Sequence, residues 1–186
     1  MSNRSAITKL VYIALFAAFI SAGAFIIIPA VPVPIVLQNF FTLLSGLVLG
    51  PFLGTAAVGL FIAAGAIGLP VFANNGSPMG FARILGPTGG YIIGYLLGAF
   101  IAGLIAGFPR QGKKITLWRL IAAVSAGTLV VYLPGLAWLK ITLQLSWNQT
   151  LTAGFLPFVI GDTIKGAAAG FIAPRLRRTA ANLLIR

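Results

Sequence analysis

Leu156-Pro157-Phe158-Val159-Ile160-Gly161-Asp162-Thr163-Ile164-Lys165-Gly166 is the stretch that decides how the rest of the chain is read. Asp162 is the only acidic residue among 186, and it stands in an apolar run that continues to Ala173. Lys165 follows at i+3, a spacing that puts ammonium and carboxylate on one face of a helix, close enough to touch. A charge at hydrocarbon depth costs roughly 2.5–3.5 kcal/mol on insertion scales, so such residues face a partner or a wet cavity. Two readings fit. Either the pair neutralises itself and fixes helix packing, or it is the polar anchor of a ligand cavity. The second is the working expectation, because the chain keeps its one acid where an acid is expensive.

Composition sets the class. Hydrophobic residues make up 59% of the chain and charged residues 8%, against about 25% charged in soluble domains; the mean hydropathy is +1.05. These values describe an integral membrane protein, and apolar runs of helical-span length make the expected fold class all-α. With no cysteine, no histidine and one acid, neither a zinc or di-metal site nor a Ser/His/Asp triad can be assembled. A membrane enzyme is disfavoured for the same reason, since a lone Asp leaves no acid/base pair. The net charge of +12 does not imply nucleic acid: the basic residues gather at segment ends, where they act as topology signals and contacts to anionic lipid.

A membrane span needs about 20 apolar residues. Six runs are read as spans: Ile7–Ile28, Val36–Gly50, Pro51–Leu69, Gly89–Phe108, Leu120–Leu143 and Leu151–Ala173. The second is short, about 22 Å at 1.5 Å per residue, so it is tilted, flanked by polar loop or buried among neighbours. Pro29–Pro34 is an extended loop, because proline removes the helical donor. Pro134 bends the fifth span, and Arg175, Arg177, Arg178 and Arg186 form a basic tail after the sixth. Six spans put both termini on one side. Arg4, Lys9, the Pro109–Arg119 loop and the tail all fall there, which the positive-inside rule makes cytoplasmic. The whole of residues 1–186 is read as one six-helix domain of the cell membrane.

Small residues mark helix faces that can approach closely in lipid. Gly90, Gly94, Gly98, Ala102 and Ala106 repeat every four positions on span four, and Gly166 and Gly170 on span six. These are read as internal packing. Ala14, Ala18 and Ala22 on span one fit either internal packing or a groove offered to another protein. Gly107-Phe108-Pro109-Arg110-Gln111-Gly112-Lys113-Lys114 nearly spells a phosphate-binding loop, but Lys114 replaces its metal-binding hydroxyl and no strand precedes it. Nucleotide hydrolysis is not expected from this chain.

Polar residues gather at the outer ends of spans. Arg83 stands against the charge bias, as a headgroup contact or a carboxylate clamp. Thr88 is placed to cap span four, whose N-terminal dipole also suits an anion. Asn75 is a turn former or an amide donor and acceptor, and Gln38 offers the same choice. Tyr91 is an interfacial aromatic or a neighbour of the site. Together with Asp162 and Lys165 they outline a pocket that opens outward, with many apolar groups and a few polar ones.

Three motifs carry a resemblance that runs along essentially the whole chain. Val31-Pro32-Val33-Pro34-Ile35-Val36-Leu37-Gln38, Arg83-Ile84-Leu85-Gly86-Pro87-Thr88-Gly89-Gly90-Tyr91 and Leu156–Lys165 resemble the BioY family, the biotin-capturing S components of energy-coupling-factor (ECF) transporters. The resemblance implies high-affinity capture of biotin from outside. It also implies a partner module made of a transmembrane coupling subunit and two ATPases, and no cofactor. It implies that Ala14 and Ala18, in Ala14-Leu15-Phe16-Ala17-Ala18, contact the coupling subunit. Asp162 would accept the ureido N–H groups, Asn75 or Gln38 would serve the ureido carbonyl, and Lys165 or Arg83 would hold the carboxylate. A self-sufficient permease and a non-transporting sensor or scaffold are the competing readings.

Overall fold

The computed structural model describes residues 3–30, 32–73 and 79–184. Val31, Asn74, Asn75 and Arg186, and the side chain of Arg4, lie outside the described residues. The fold is mostly helical. Helix α1 (Asn3–Ala22) leads into a short antiparallel pair, β1 (Ile27–Ile28) with β2 (Ile35–Val36), and then into α2 (Gln38–Leu49) and α3 (Pro51–Ala66). A short α4 (Phe81–Leu85) precedes α5 (Gly89–Ala106) and α6 (Leu117–Leu143). The chain ends with α7 (Trp147–Gly154), one 3-10 turn (Leu156–Phe158) and α8 (Val159–Leu184). Four helical stretches among the described residues are long and apolar enough to cross a membrane: Ser5–Ala22, Gly89–Ala106, Leu117–Leu143 and Trp147–Leu184. Helices α2 and α3 are apolar but shorter.

Helix α2 is the centre of the bundle. Ten of its 12 residues are buried, and α1, α3, α5 and α8 pack around it. That explains how 12 residues, about 18 Å of helix, hold a place in an apolar bundle: neighbours rather than lipid surround them. Close approach depends on glycine. A Cβ on Gly46 would lie 2.1 Å from the Ala99 carbonyl oxygen of α5.

The glycine repeat of α5 faces α6. A Cβ on Gly90 would meet the Pro134 carbonyl oxygen at 2.3 Å, and one on Gly94 the Val131 carbonyl oxygen at 2.7 Å. Gly166 of α8 likewise lies against Val124 of α6. These stripes are internal packing surfaces. The alanines of α1 differ: Ala14, Ala18 and Ala22 are exposed.

Three local expectations need correction. The first helix stops at Ala22, not Ile28, because Gly23 turns the chain against α2: a Cβ there would lie 2.9 Å from the Gln38 nitrogen. The β-branched residues beyond it pair instead, Ile27 with Val36 and Ile28 with Ile35, as such side chains favour extended backbone. The last helical run is broken at Phe155–Phe158, where Pro157 removes a backbone donor. Finally, Arg175, Arg177 and Arg178 belong to α8 rather than to a loose tail. Arg177 is buried, and its guanidinium donates to the carbonyls of Leu47, Ala106 and Gly107, at the C-terminal ends of α2 and α5. Those carbonyls have no partner within their own helices, and a cation also suits the negative end of a helix dipole.

Candidate functional site

One cleft at the β1–β2 end of the bundle collects the polar residues that the sequence singles out. Gln38, Arg83, Thr88, Tyr91, Asp162 and Lys165 all line it; Asn75 lies outside the described residues. The β1–β2 loop and β2, α2, the connection between α3 and α4, α4, α5, α6, the 3-10 turn and α8 all contribute to this one surface. Val33, Phe72, Ile92, Tyr95, Val131 and Phe158 supply apolar and aromatic walls.

At its floor is a network centred on Asp162, which sits in the first turn of α8, where the helix dipole favours a carboxylate. Lys165 Nζ donates to Asp162 Oδ1 at 2.8 Å. Asn39 Nδ2 donates to the same oxygen at 2.6 Å, and the Tyr132 hydroxyl donates to Oδ2 at 2.5 Å. Lys165 also donates to Asn39 Oδ1 at 2.9 Å and to the Val36 carbonyl at 3.0 Å. An ammonium has three donors, so all of them are in use. The pair is largely buried, with side-chain exposures of 12% for Lys165 and 9% for Asp162. A carboxylate offers about four acceptor sites; three are filled here, and the fourth is free for a donor in the cleft.

Arg83 presents the opposite case. It is 6% exposed, yet among the described residues its guanidinium forms no hydrogen bond or salt bridge. Burial alone lowers its pKa from the ordinary arginine value. A buried, bifurcated donor without an acceptor is suited to a planar anion.

Gln38 Nε2 donates to the Val71 carbonyl at 3.0 Å, which ties α2 to the chain beyond α3 and leaves the amide oxygen as an acceptor. Tyr91 donates to the Gly154 carbonyl at 2.8 Å, so its hydroxyl hydrogen is engaged while its ring walls the cleft. Thr88 does not cap α5 through its side chain. Its backbone, at φ −90° and ψ −3°, is helical rather than the extended form that turns a capping oxygen onto the first amides. The hydroxyl is instead buried without a partner at the edge of the cleft.

Asn39 and Tyr132 are members of the Asp162 network that the sequence reading passes over. Asn39 follows Gln38 directly, and the polar pair opening an apolar helix is the signal that could have found it. Tyr132 is a polar-tipped aromatic in the middle of an apolar span, which is a weaker signal.

A bundle of apolar helices whose cleft holds an anionic anchor, a buried cation without a partner among the described residues, and aromatic walls has the make-up of a membrane protein with a small-molecule pocket. The sequence matches the model of the BioY family over residues 1–182, and the chain belongs to that family. It is 45% identical to a probable biotin transporter BioY of Pyrococcus horikoshii over 165 residues, 89% of this chain and 93% of that one. It is 43% identical over 171 residues to the biotin transporter BioY of Thermotoga maritima, 91% of this chain and 96% of the relative. Its fold is similar to the crystal structure of the S-component for biotin from an ECF-type ABC transporter. The TM-score is 0.80 at 34% identity, with 96% of this chain and 95% of that one covered.

Proposed function

We propose that this chain captures biotin from the extracytoplasmic side of the cell membrane and serves as the S component of an ATP-driven ECF transporter. The observation that carries the proposal is the division of labour in the cleft. Asp162 has one free acceptor site, Arg83 has no partner among the described residues, and both line the same apolar-walled space. Biotin has the matching layout: ureido N–H groups at one end, a carboxylate at the other and apolar atoms between. One ureido N–H goes to the free acceptor site of Asp162, and the Gln38 amide or the Thr88 hydroxyl answers the remaining polar atoms. Arg83 takes the carboxylate, because every donor of Lys165 is already bound. The role is binding and delivery, not catalysis, and biotin is the ligand rather than a cofactor.

The chain forms one domain with six spans: α1, α2, α3, α5, α6 and α8. Both termini are cytoplasmic, as the basic residues at the end away from the cleft require. The coupling subunit docks on α1, where the exposed Ala14 and Ala18 leave room for another helix, and two ATPases supply the energy. Uptake of labelled biotin by cells making this chain, with and without the coupling module, tests the assignment. Uptake that needs the module supports the S-component role; equal uptake without it means a self-sufficient permease.

A further inference from the structure

The end of the bundle opposite the cleft holds a second pocket. It lies between the C-terminal end of α5, the loop over residues 107–116, the start of α6 and Arg177 of α8. Arg110, Lys113, Lys114, Arg119 and Arg177 line it with no acidic side chain among them, the one acidic residue of the sequence, Asp162, lining the cleft and the furrow between α6 and α8 instead. Two of these cations are fixed on backbone. Arg177 is held by the Leu47, Ala106 and Gly107 carbonyls, and Arg119 Nε donates to the Ile105 carbonyl. Arg177 is buried there, while Arg119 is exposed but tethered to the pocket through its Nε. Arg110, Lys113 and Lys114 are exposed on its rim. Like charges gathered this closely repel one another, and a bound anion relieves that repulsion.

The pocket adjoins a long apolar furrow between α6 and α8. Ile115 lines both, and Leu120, Val124, Gly170 and Phe171 continue the furrow along the helices. Beside the junction, Leu117 is 67% and Trp118 80% exposed, an apolar and aromatic edge of the kind that sits at a membrane–water interface. A soluble phosphate would use the cations and leave the furrow empty, whereas a neutral lipid would use the furrow and leave the cations unanswered. We infer that pocket and furrow together bind one anionic phospholipid, its phosphate on Arg119 and the rim cations and an acyl chain between α6 and α8. Basic pockets between membrane helices are established binding places for acidic headgroups.

Native mass spectrometry of the delipidated full chain in detergent tests this with dioleoyl phosphatidylglycerol, dioleoyl phosphatidylcholine and free glycerol phosphate. The expected result is one saturable phosphatidylglycerol per chain, bound at least tenfold more tightly than phosphatidylcholine and not displaced by equimolar glycerol phosphate. Combining Arg110→Gln, Lys113→Gln and Lys114→Gln should remove the preference, and each single change should lower it part-way, so the outcome does not depend on one triple variant folding. Arg175→Gln with Arg178→Gln, on α8 but outside the pocket, should keep it, with thermal melting confirming that every variant is folded. Equal retention of the two lipids by wild type overturns the inference. So does an equal loss from either set of substitutions, which means diffuse attraction, or displacement by glycerol phosphate, which means a soluble-anion site.

Discussion

Lys165 Nζ stands 2.8 Å from Asp162 Oδ1, and its two other hydrogens go to Asn39 Oδ1 and the Val36 carbonyl. The cation beside the acid is therefore a structural partner, which ties α8 to α2 and to the β1–β2 pair and orients the carboxylate. Arg83, on α4, lies outside that network and is a buried cation with donors to spare among the described residues. The Asp162 network and Arg83 are chemically distinct parts of the cleft lining, and each can be tested alone.

Asp162→Asn keeps the shape of the side chain but removes the anion. It leaves Lys165 without its counter-charge, a change that costs about 3–5 kcal/mol when one partner of a buried pair is lost. Biotin affinity should fall at least tenfold, equivalent to about 1.4 kcal/mol, in equilibrium binding to the purified variant. Tyr132→Phe, which removes one donor to Oδ2 and leaves the charge in place, should weaken binding less. Wild-type affinity in a folded Asp162→Asn variant would remove Asp162 from the site.

Arg83 should read the carboxylate. Biotin should bind more tightly than its amide, and Arg83→Gln should abolish most of that difference by weakening the acid and sparing the amide. The pair of ligands measured on both proteins forms a double-mutant cycle. If the amide and the acid bind wild type equally, the tail of the ligand leaves the cleft into water instead.

Arg177 tests the other end of the molecule. Arg177→Met leaves the Leu47, Ala106 and Gly107 carbonyls without their charged donor, and the lost hydrogen bonds should cost about 2–3 kcal/mol of stability. Thermal melting in detergent should shift downward, while biotin affinity of the folded fraction changes less than threefold. An unchanged melting temperature would mean that water replaces the guanidinium without loss.

Ala14→Trp with Ala18→Trp fills the exposed face of α1. Binding should survive, since neither residue lines the cleft. Uptake in cells and co-purification with the coupling subunit should fall together. Loss of binding in parallel would mean that α1 is needed for folding rather than docking.

Local spacing made part of this legible in the sequence. The Asp162–Lys165 contact is one helical turn long, so i+3 alone announces it, and the three motifs carry Gln38, Arg83, Thr88, Tyr91 and both members of that pair. Asn39 and Tyr132 reach Asp162 from α2 and α6, across 123 and 30 positions of sequence, and no local period records such a meeting. Arg177 looked like one more cation in a basic tail because its acceptors are carbonyls on two other helices. The residue type of Thr88 suits a cap, whereas capping also requires an extended backbone that this position does not have. The burial of α2 follows from the same limit: its 12 residues are too few for a free-standing span, and only tertiary packing says which neighbours cover it.

Equilibrium binding of labelled biotin to the purified chain, without any partner subunit, is the most direct measurement. One saturable site per chain is expected, with a dissociation constant below about 1 μM, worth more than about 8 kcal/mol, and competition by unlabelled biotin. A folded preparation that shows no saturable biotin binding up to about 1 mM, equivalent to only about 4 kcal/mol, would contradict the assignment of the cleft.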